Sequence, residues 1–297
     1  MHKIVEIAVA ALLCVAPLTA TARDLRVFIS ADMEGVAGVV NEEQLGPDGF
    51  EYPLFRKLMT GEVNAAIEGA LAAGATQVTV ADSHGNGLSL LPDELNPQAR
   101  LIRSWPRPLG MMEGVERGFD AALFIGYHAS GGTAGGVRAH TNSSKRYVSV
   151  RLNGQHASEG LLNAAIAGHY GVPVVLVSGD DKAVAEIQRS VDPAIAGVAV
   201  KRAIGNHAAD NLSPQAAREQ ICAATVAALR RARAAKPFVL AAPVRLEVTF
   251  KNIINAEVLA FLPVFERVDG TTIGFTGRDI VETARALNFI GKYDSTN

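Results

Sequence analysis

Leu25 to Gly35 reads LRVFISADMEG, an apolar run that breaks into two carboxylates and a glycine. Leu25 to Ala31 is rich in β-branched and aromatic residues and predicts a strand. Similar runs recur down the chain: Gln77 to Ala81 (QVTVA), Ala121 to Gly126 (AALFIG), Tyr147 to Leu152 (YVSVRL) and Val172 to Val177 (VPVVLV). Helical spacing separates several of them. Phe55 to Ala73 is stopped by Gly74, and Ser158 to His169 opens on a capping serine. Strands alternating with helices, several nearly all apolar, predict an α/β fold with a largely parallel sheet flanked by helices.

The last third reads differently. Ser213-Pro214 opens a long helix reaching about Ala235. Val244 to Phe250 (VRLEVTF) alternates like a half-exposed strand, and Asp269-Gly270 marks a hairpin before a helix over Arg278 to Phe289. This predicts a smaller C-terminal α+β domain over residues 241–297, after a main domain at 23–240. Residues 1–22 read as an export signal. Lys3 is followed by an apolar run from Ile7 to Val15, too short to span a bilayer, and then by Ala20-Thr21-Ala22 as a cleavage site. Periplasmic or secreted localisation is the expectation.

Composition narrows the function classes. The 297 residues are 48% hydrophobic and 20% charged, so the chain can bury a large core. Of the 2 cysteines, Cys14 would leave with the signal. Cys222 would then have no intramolecular disulfide partner. The net charge is −2. The basic run Arg230-Arg231-Ala232-Arg233 is too narrow for a nucleic-acid footprint.

In open parallel sheets, ligands bind beyond the carboxyl ends of the strands. There the chain places Asp32 and Glu34, Asp82-Ser83-His84, Tyr127-His128 followed by a glycine-rich loop and His140, Glu159, and Gly179-Asp180-Asp181. Each has an ordinary alternative. His84 and His128 are commonplace in turns, Glu159 suits a helix start, and Asp180 suits a helix cap. Together they predict a metal site. Carboxylates with imidazoles and no thiolate suit zinc, manganese or iron. So many donors fit two ions sharing a bridging carboxylate and an activated water, hence hydrolysis.

The same segments resemble a known family, the zinc-dependent D-aminopeptidases of the dipeptide-transport type. Ser30-Ala31-Asp32-Met33-Glu34-Gly35 resembles its S-x-D-M-E-G signature. Asp82-Ser83-His84, Gly126-Tyr127-His128-Ala129, Thr133 to Val137 leading to His140, Glu159 and Gly179-Asp180-Asp181 resemble its further motifs in order. The resemblance implies two zinc ions per chain. Asp32 would bridge them, Glu34 and His84 would complete one, and His128 and Glu159 the other. His140 would be the catalytic histidine, not a ligand. It also implies aminopeptidase activity on N-terminal D-residues such as D-alanine of short peptides, and a homo-oligomer, a decamer in that family. Ala134 stands where the family has proline, and Gly160-Leu161-Leu162 where it has Leu-Gly-Leu. These departures bear on substrate choice.

Two other functions fit parts of the pattern. A dimetal phosphoesterase would use Asp82-Ser83-His84, Gly179-Asp180 and Gly205-Asn206-His207, but leaves Asp32, Glu34 and Glu159 idle. A periplasmic solute-binding protein would fit export and α/β architecture, but needs no ring of acids and histidines.

Overall fold

The computed structural model describes residues 24–293. The expected export signal, Met1 to Ala22, lies outside them. Among the described residues, no helix is long and apolar enough to cross a membrane.

The elements run β1 (Leu25–Ala31), α1 (Tyr52–Ala72), β2 (Ala75–Asp82), β3 (Ala99–Ile102), β4 (Ala121–Tyr127), β5 (Tyr147–Leu152), β6 (Gln155–His156), α2 (Glu159–His169), β7 (Val174–Asp180), α3 (Asp181–Ser190), β8 (Ala196–Gly205), β9 (Ala208–Asn211), α4 (Pro214–Leu229), β10 (Val244–Phe250), α5 (Ile253–Leu259), β11 (Glu266–Arg267), β12 (Thr272–Gly277) and α6 (Ile280–Lys292). Seven strands form one sheet in the order β3-β2-β1-β4-β7-β8-β9. All its pairings are parallel except β8 with β9. Helices flank it, as expected.

Alternation along β1 shows how the core is shared. Val27, Ile29 and Ala31 face α1 and α4, joining Val63, Ile67 and Ile221. Phe28 faces the other way, into a cluster with Phe124, Leu161, Ile187 and Leu287 from β4, α2, α3 and α6. With both faces covered, β4 and β7 are buried along their whole length and β1 from Val27 onward.

The second sheet is smaller and antiparallel, in the order β11-β12-β10-β5-β6. Here one expectation is corrected. Tyr147 to Leu152 was expected as the fourth strand of the parallel sheet, yet β5 pairs antiparallel with β10. Its burial alternates, with Tyr147, Val150 and Leu152 inside and Val148 exposed. That is the pattern of a strand with one wet face. The hairpin at Asp269-Gly270 forms between β11 and β12. The long helix from Ser213-Pro214 ends at Leu229, short of Ala235, and a 3-10 turn at Ala232–Ala234 follows. Strands β3, β8 and β9 were not anticipated. β8 carries Lys201 and Arg202 inside its run, which hides its apolar character.

From β1 the chain steps outward through β2 to β3, then returns past β1 to build β4, β7 and β8 on the other side. The order reverses between β1 and β4, so their carboxyl ends frame a crevice.

Candidate metal centre

Asp32 directly follows β1 at that crevice. Its backbone N–H donates to Ile125 O at 2.8 Å, and Gly35 N–H donates to Gly126 O at 2.8 Å. The turn after β1 is thereby laid across the end of β4. A Cβ at Gly35 would collide with the Tyr127 carbonyl, and one at Gly126 with the Asp32 carbonyl. Gly126 also has φ +73°, a conformation other residues rarely adopt. Glycines at these two positions let the strand ends meet closely enough for Asp32 and His128 to converge.

Each imidazole is oriented by its second nitrogen. His84 follows β2 and donates Nε2–H to the Leu45 carbonyl at 2.7 Å. Its Nδ1 then faces Glu34 Oε2, 2.8 Å away, and Asp32 Oδ1, 3.3 Å away. His128 follows β4 and donates Nδ1–H to Ala129 O at 3.0 Å. Its Nε2 faces Asp32 Oδ2 at 3.3 Å and Glu159 Oε1 at 3.4 Å. Glu159 is the first residue of α2, beside the Ser158 cap, where the positive helix end favours an anion. It arrives through the β5–β6 hairpin of the small sheet, not from a parallel strand end. Its Oε1 also accepts Asn142 N–H at 2.7 Å. His140 donates Nδ1–H to Arg138 O at 2.7 Å, and its ring stacks on His128 with centroids 4.1 Å apart. Its Nε2 lies 3.9 Å from both Glu34 Oε1 and Glu159 Oε1.

All six expected side chains therefore gather at one place. The five expected ligands are each no more than 6% exposed. Two donor sets emerge, Asp32 with Glu34 and His84, and Asp32 with His128 and Glu159. Asp32 belongs to both. A third set, Glu34 with His128 and His140, also lies close enough to converge.

Three carboxylates buried together need cations. Without metal, protons take that role. Burial and Glu34 raise the Asp32 carboxyl to about 7. Burial works against the charged imidazoles, but Glu159, Asp32 and Glu34 together outweigh it at His128, raising it to about 10. Glu34 likewise drives His84 well above its usual value. His140 moves the other way, since burial and the facing His128 both lower it. Two buried atoms, Asp32 Oδ2 and His128 Nε2, have no hydrogen-bond partner. A carboxylate oxygen and an imidazole nitrogen that face each other without a hydrogen-bond partner fit a metal ion between them once the imidazole proton has left, and a carboxylate–imidazole set fits zinc.

Of the phosphoesterase residues, His84 joins the metal centre while the others are engaged elsewhere. Asp82 Oδ2 accepts Leu90 N–H at 2.7 Å. Asp180 caps α3 through Lys182 N–H and Ala183 N–H. His207, in the β8–β9 turn, faces Arg138 at 3.1 Å.

Sequence reasoning missed Lys201, whose Nζ donates to the carbonyls of Glu34, Val36 and Val39 beneath the ligand turn. It also missed Trp105 and Arg107, which line the cleft beside the metal centre. Lysine and arginine normally read as surface residues, and the segment around Trp105 has no periodic pattern to place it.

A switch-point crevice holding buried carboxylates and imidazoles defines the class, a metal-dependent α/β hydrolase. The chain belongs to the M55 peptidase family, described as D-aminopeptidase, whose model matches residues 25–289. A D-aminopeptidase of Bacillus subtilis (strain 168) is 35% identical over 269 residues, covering 89% of this chain and 95% of its own. A solved structure, the Zn-dependent D-aminopeptidase DppA from Bacillus subtilis, described as a self-compartmentalizing protease, superposes with a TM-score of 0.87. It is 32% identical and covers 92% of this chain and 100% of its own.

Proposed function

We propose that this D-aminopeptidase family member holds two zinc ions per chain and removes N-terminal D-residues, D-alanine foremost, from short peptides outside the cytoplasm. One observation carries the reading. Asp32 presents Oδ1 to the His84 side and Oδ2 to the His128 side, so a single carboxylate serves two donor sets. Bound zinc would supply Lewis acidity that polarises the scissile carbonyl and makes water nucleophilic near neutral pH.

The protein's own groups do the rest. His84 and His128 keep fixed tautomers, because Leu45 O and Ala129 O hold their outer N–H groups. Glu34 and Glu159 supply negative charge that would offset the bound cations. Burial keeps His140 neutral, and Arg138 O fixes its Nδ1 proton. Its Nε2 is therefore free to accept a proton from the attacking water and return it to the leaving amine.

The signal-like Met1 to Ala22 supports export, where wall-derived D-alanyl peptides are a natural substrate. The self-compartmentalizing relative supports a homo-oligomer, and the family resemblance supports a decamer. A panel of dipeptides with L- or D-configured N-termini, assayed with and without chelator, tests the function. Chelator-sensitive release of D-alanine in preference to L-alanine is expected. Chelator-resistant turnover, or a preference for L-termini, contradicts it.

A further inference from the structure

The metal centre lies in a cleft of about 650 Å³ whose charges are segregated. The carboxylates lining it are Asp32, Glu34 and Glu159, all at the metal centre. Its cations are Arg107, Lys145, Arg285 and Lys292, and among the described residues no other carboxylate lines it. Next to it is a second cavity of about 450 Å³ that shares Lys145 and Lys292 with the cleft and adds Arg146 and Lys251, again without a carboxylate.

These cations are not equivalent. Arg146 is committed to the carbonyls of Gly291 and Tyr293, and Lys251 to Ser144 O. Lys145 and Lys292 make no ion pair among the described residues. The Lys292 ammonium sits 5.0 Å from the Trp105 ring centroid, and the Arg107 guanidinium 4.2 Å from the same ring. Arg107 is only 6% exposed, yet its Nη1 has no hydrogen-bond partner. Burial and Arg107 both lower the Lys292 ammonium, so these two cations crowd each other, although Arg107 is also answered in part by Asp82 and Glu113. Such crowding is unfavourable until an anion arrives.

We propose that Lys145, Lys292 and Arg107 form a carboxylate-binding subsite that takes the free C-terminal carboxylate of a short peptide. This rests on the aminopeptidase reading. It makes the cleft complementary to a peptide zwitterion, with the N-terminal end at the acidic centre and the carboxylate at the basic end. Ammonium–carboxylate hydrogen bonds are among the stronger ones available to a peptide ligand. The Trp105 ring, in contact with both Arg107 and Lys292, lines the cleft at its basic end. Selection for short free peptides follows, because an amidated C-terminus offers no charge to this end.

The test compares D-Ala-D-Ala with its C-terminal amide on the zinc-loaded enzyme. Alongside, calorimetry measures binding of a reduced-amide isostere of D-Ala-D-Ala as free acid and as amide. For wild type, KM is expected to be at least about tenfold lower for the acid, roughly 1.4 kcal/mol. The isostere is expected to show the same preference. In the Lys145→Met/Lys292→Met variant the preference should collapse towards one. Equal binding of acid and amide by wild type overturns the subsite, as does a preference that survives in the variant. If neither peptide is cleaved but the acid-selective binding persists, the aminopeptidase reading fails and the subsite stands.

Discussion

The ammonium of Lys201 lies 2.6 Å from the backbone carbonyl oxygen of Glu34, and it donates also to Val36 O and Val39 O. Lys201 is 2% exposed, and burial pulls it down to about 8. It is a positioning residue, clamping the turn that carries Asp32 and Glu34. Lys201→Met leaves three buried carbonyls without their donor. Stability should fall by roughly 2–4 kcal/mol by urea denaturation, since each orphaned buried acceptor costs about 1–3 kcal/mol before relaxation. Zinc affinity should fall with it. An unchanged zinc dissociation constant in the folded variant would show that the turn is held by other means.

Asp32 and His140 should separate metal binding from turnover. Asp32→Ala removes the one carboxylate common to both donor sets, so zinc content and activity should both be lost. His140→Ala should lower kcat by about 10²–10⁴-fold, the usual span for a positioned base, while keeping its zinc. A His140→Ala protein that also loses metal would place His140 among the ligands, as the third donor set permits.

Metal should enter by displacing protons. At pH 7 the metal-free His84 and His128 are both protonated, held so chiefly by Glu34 and Glu159 against the effect of burial. Zinc binding should therefore release roughly two to three protons per chain at pH 7, since Asp32, raised to about 7, gives up its share as well. Calorimetric titration in buffers of differing ionisation enthalpy measures this. Heats that do not depend on the buffer would contradict it.

Glu62 gives a pH signature separate from the metal. It is buried under the same turn, where Oε1 accepts Ala37 N–H at 2.9 Å and Oε2 has no hydrogen-bond partner. Burial raises its carboxyl from 4.5 to about 7, against the lowering effects of Ala37 and Lys201. The folded state thus holds this proton more tightly than the unfolded chain. The resulting stability is complete below about pH 4.5 and is lost as pH rises through about 7, a change of up to roughly 3 kcal/mol. Glu62→Gln should remove that slope, so the variant gains on wild type between those limits. Parallel stability–pH curves for the two proteins would show that Glu62 ionises freely.

The proposed metal ligands were legible because each follows an apolar run or opens a helix, and polar side chains at such places are placed by local chain geometry. Asp32 and Glu34 end β1, His84 ends β2, His128 ends β4, and Glu159 follows its cap. Tyr147 to Leu152 was assigned to the wrong sheet, although its alternation carried the clue, because pairing depends on residues nearly a hundred positions away in β10. Lys201 was illegible for a different reason. Its partners are backbone carbonyls, which leave no trace in side-chain identity. Trp105 and Arg107 become visible only when α6 closes over them, bringing Lys292 to the same ring.

The central claim is that Asp32 bridges two zinc ions. Anomalous diffraction at the zinc edge, on crystals of the zinc-loaded protein, tests it most directly. Two peaks about 3.5–4 Å apart, one on each side of the Asp32 carboxylate, are expected. A single peak, or peaks away from Asp32, would contradict the account.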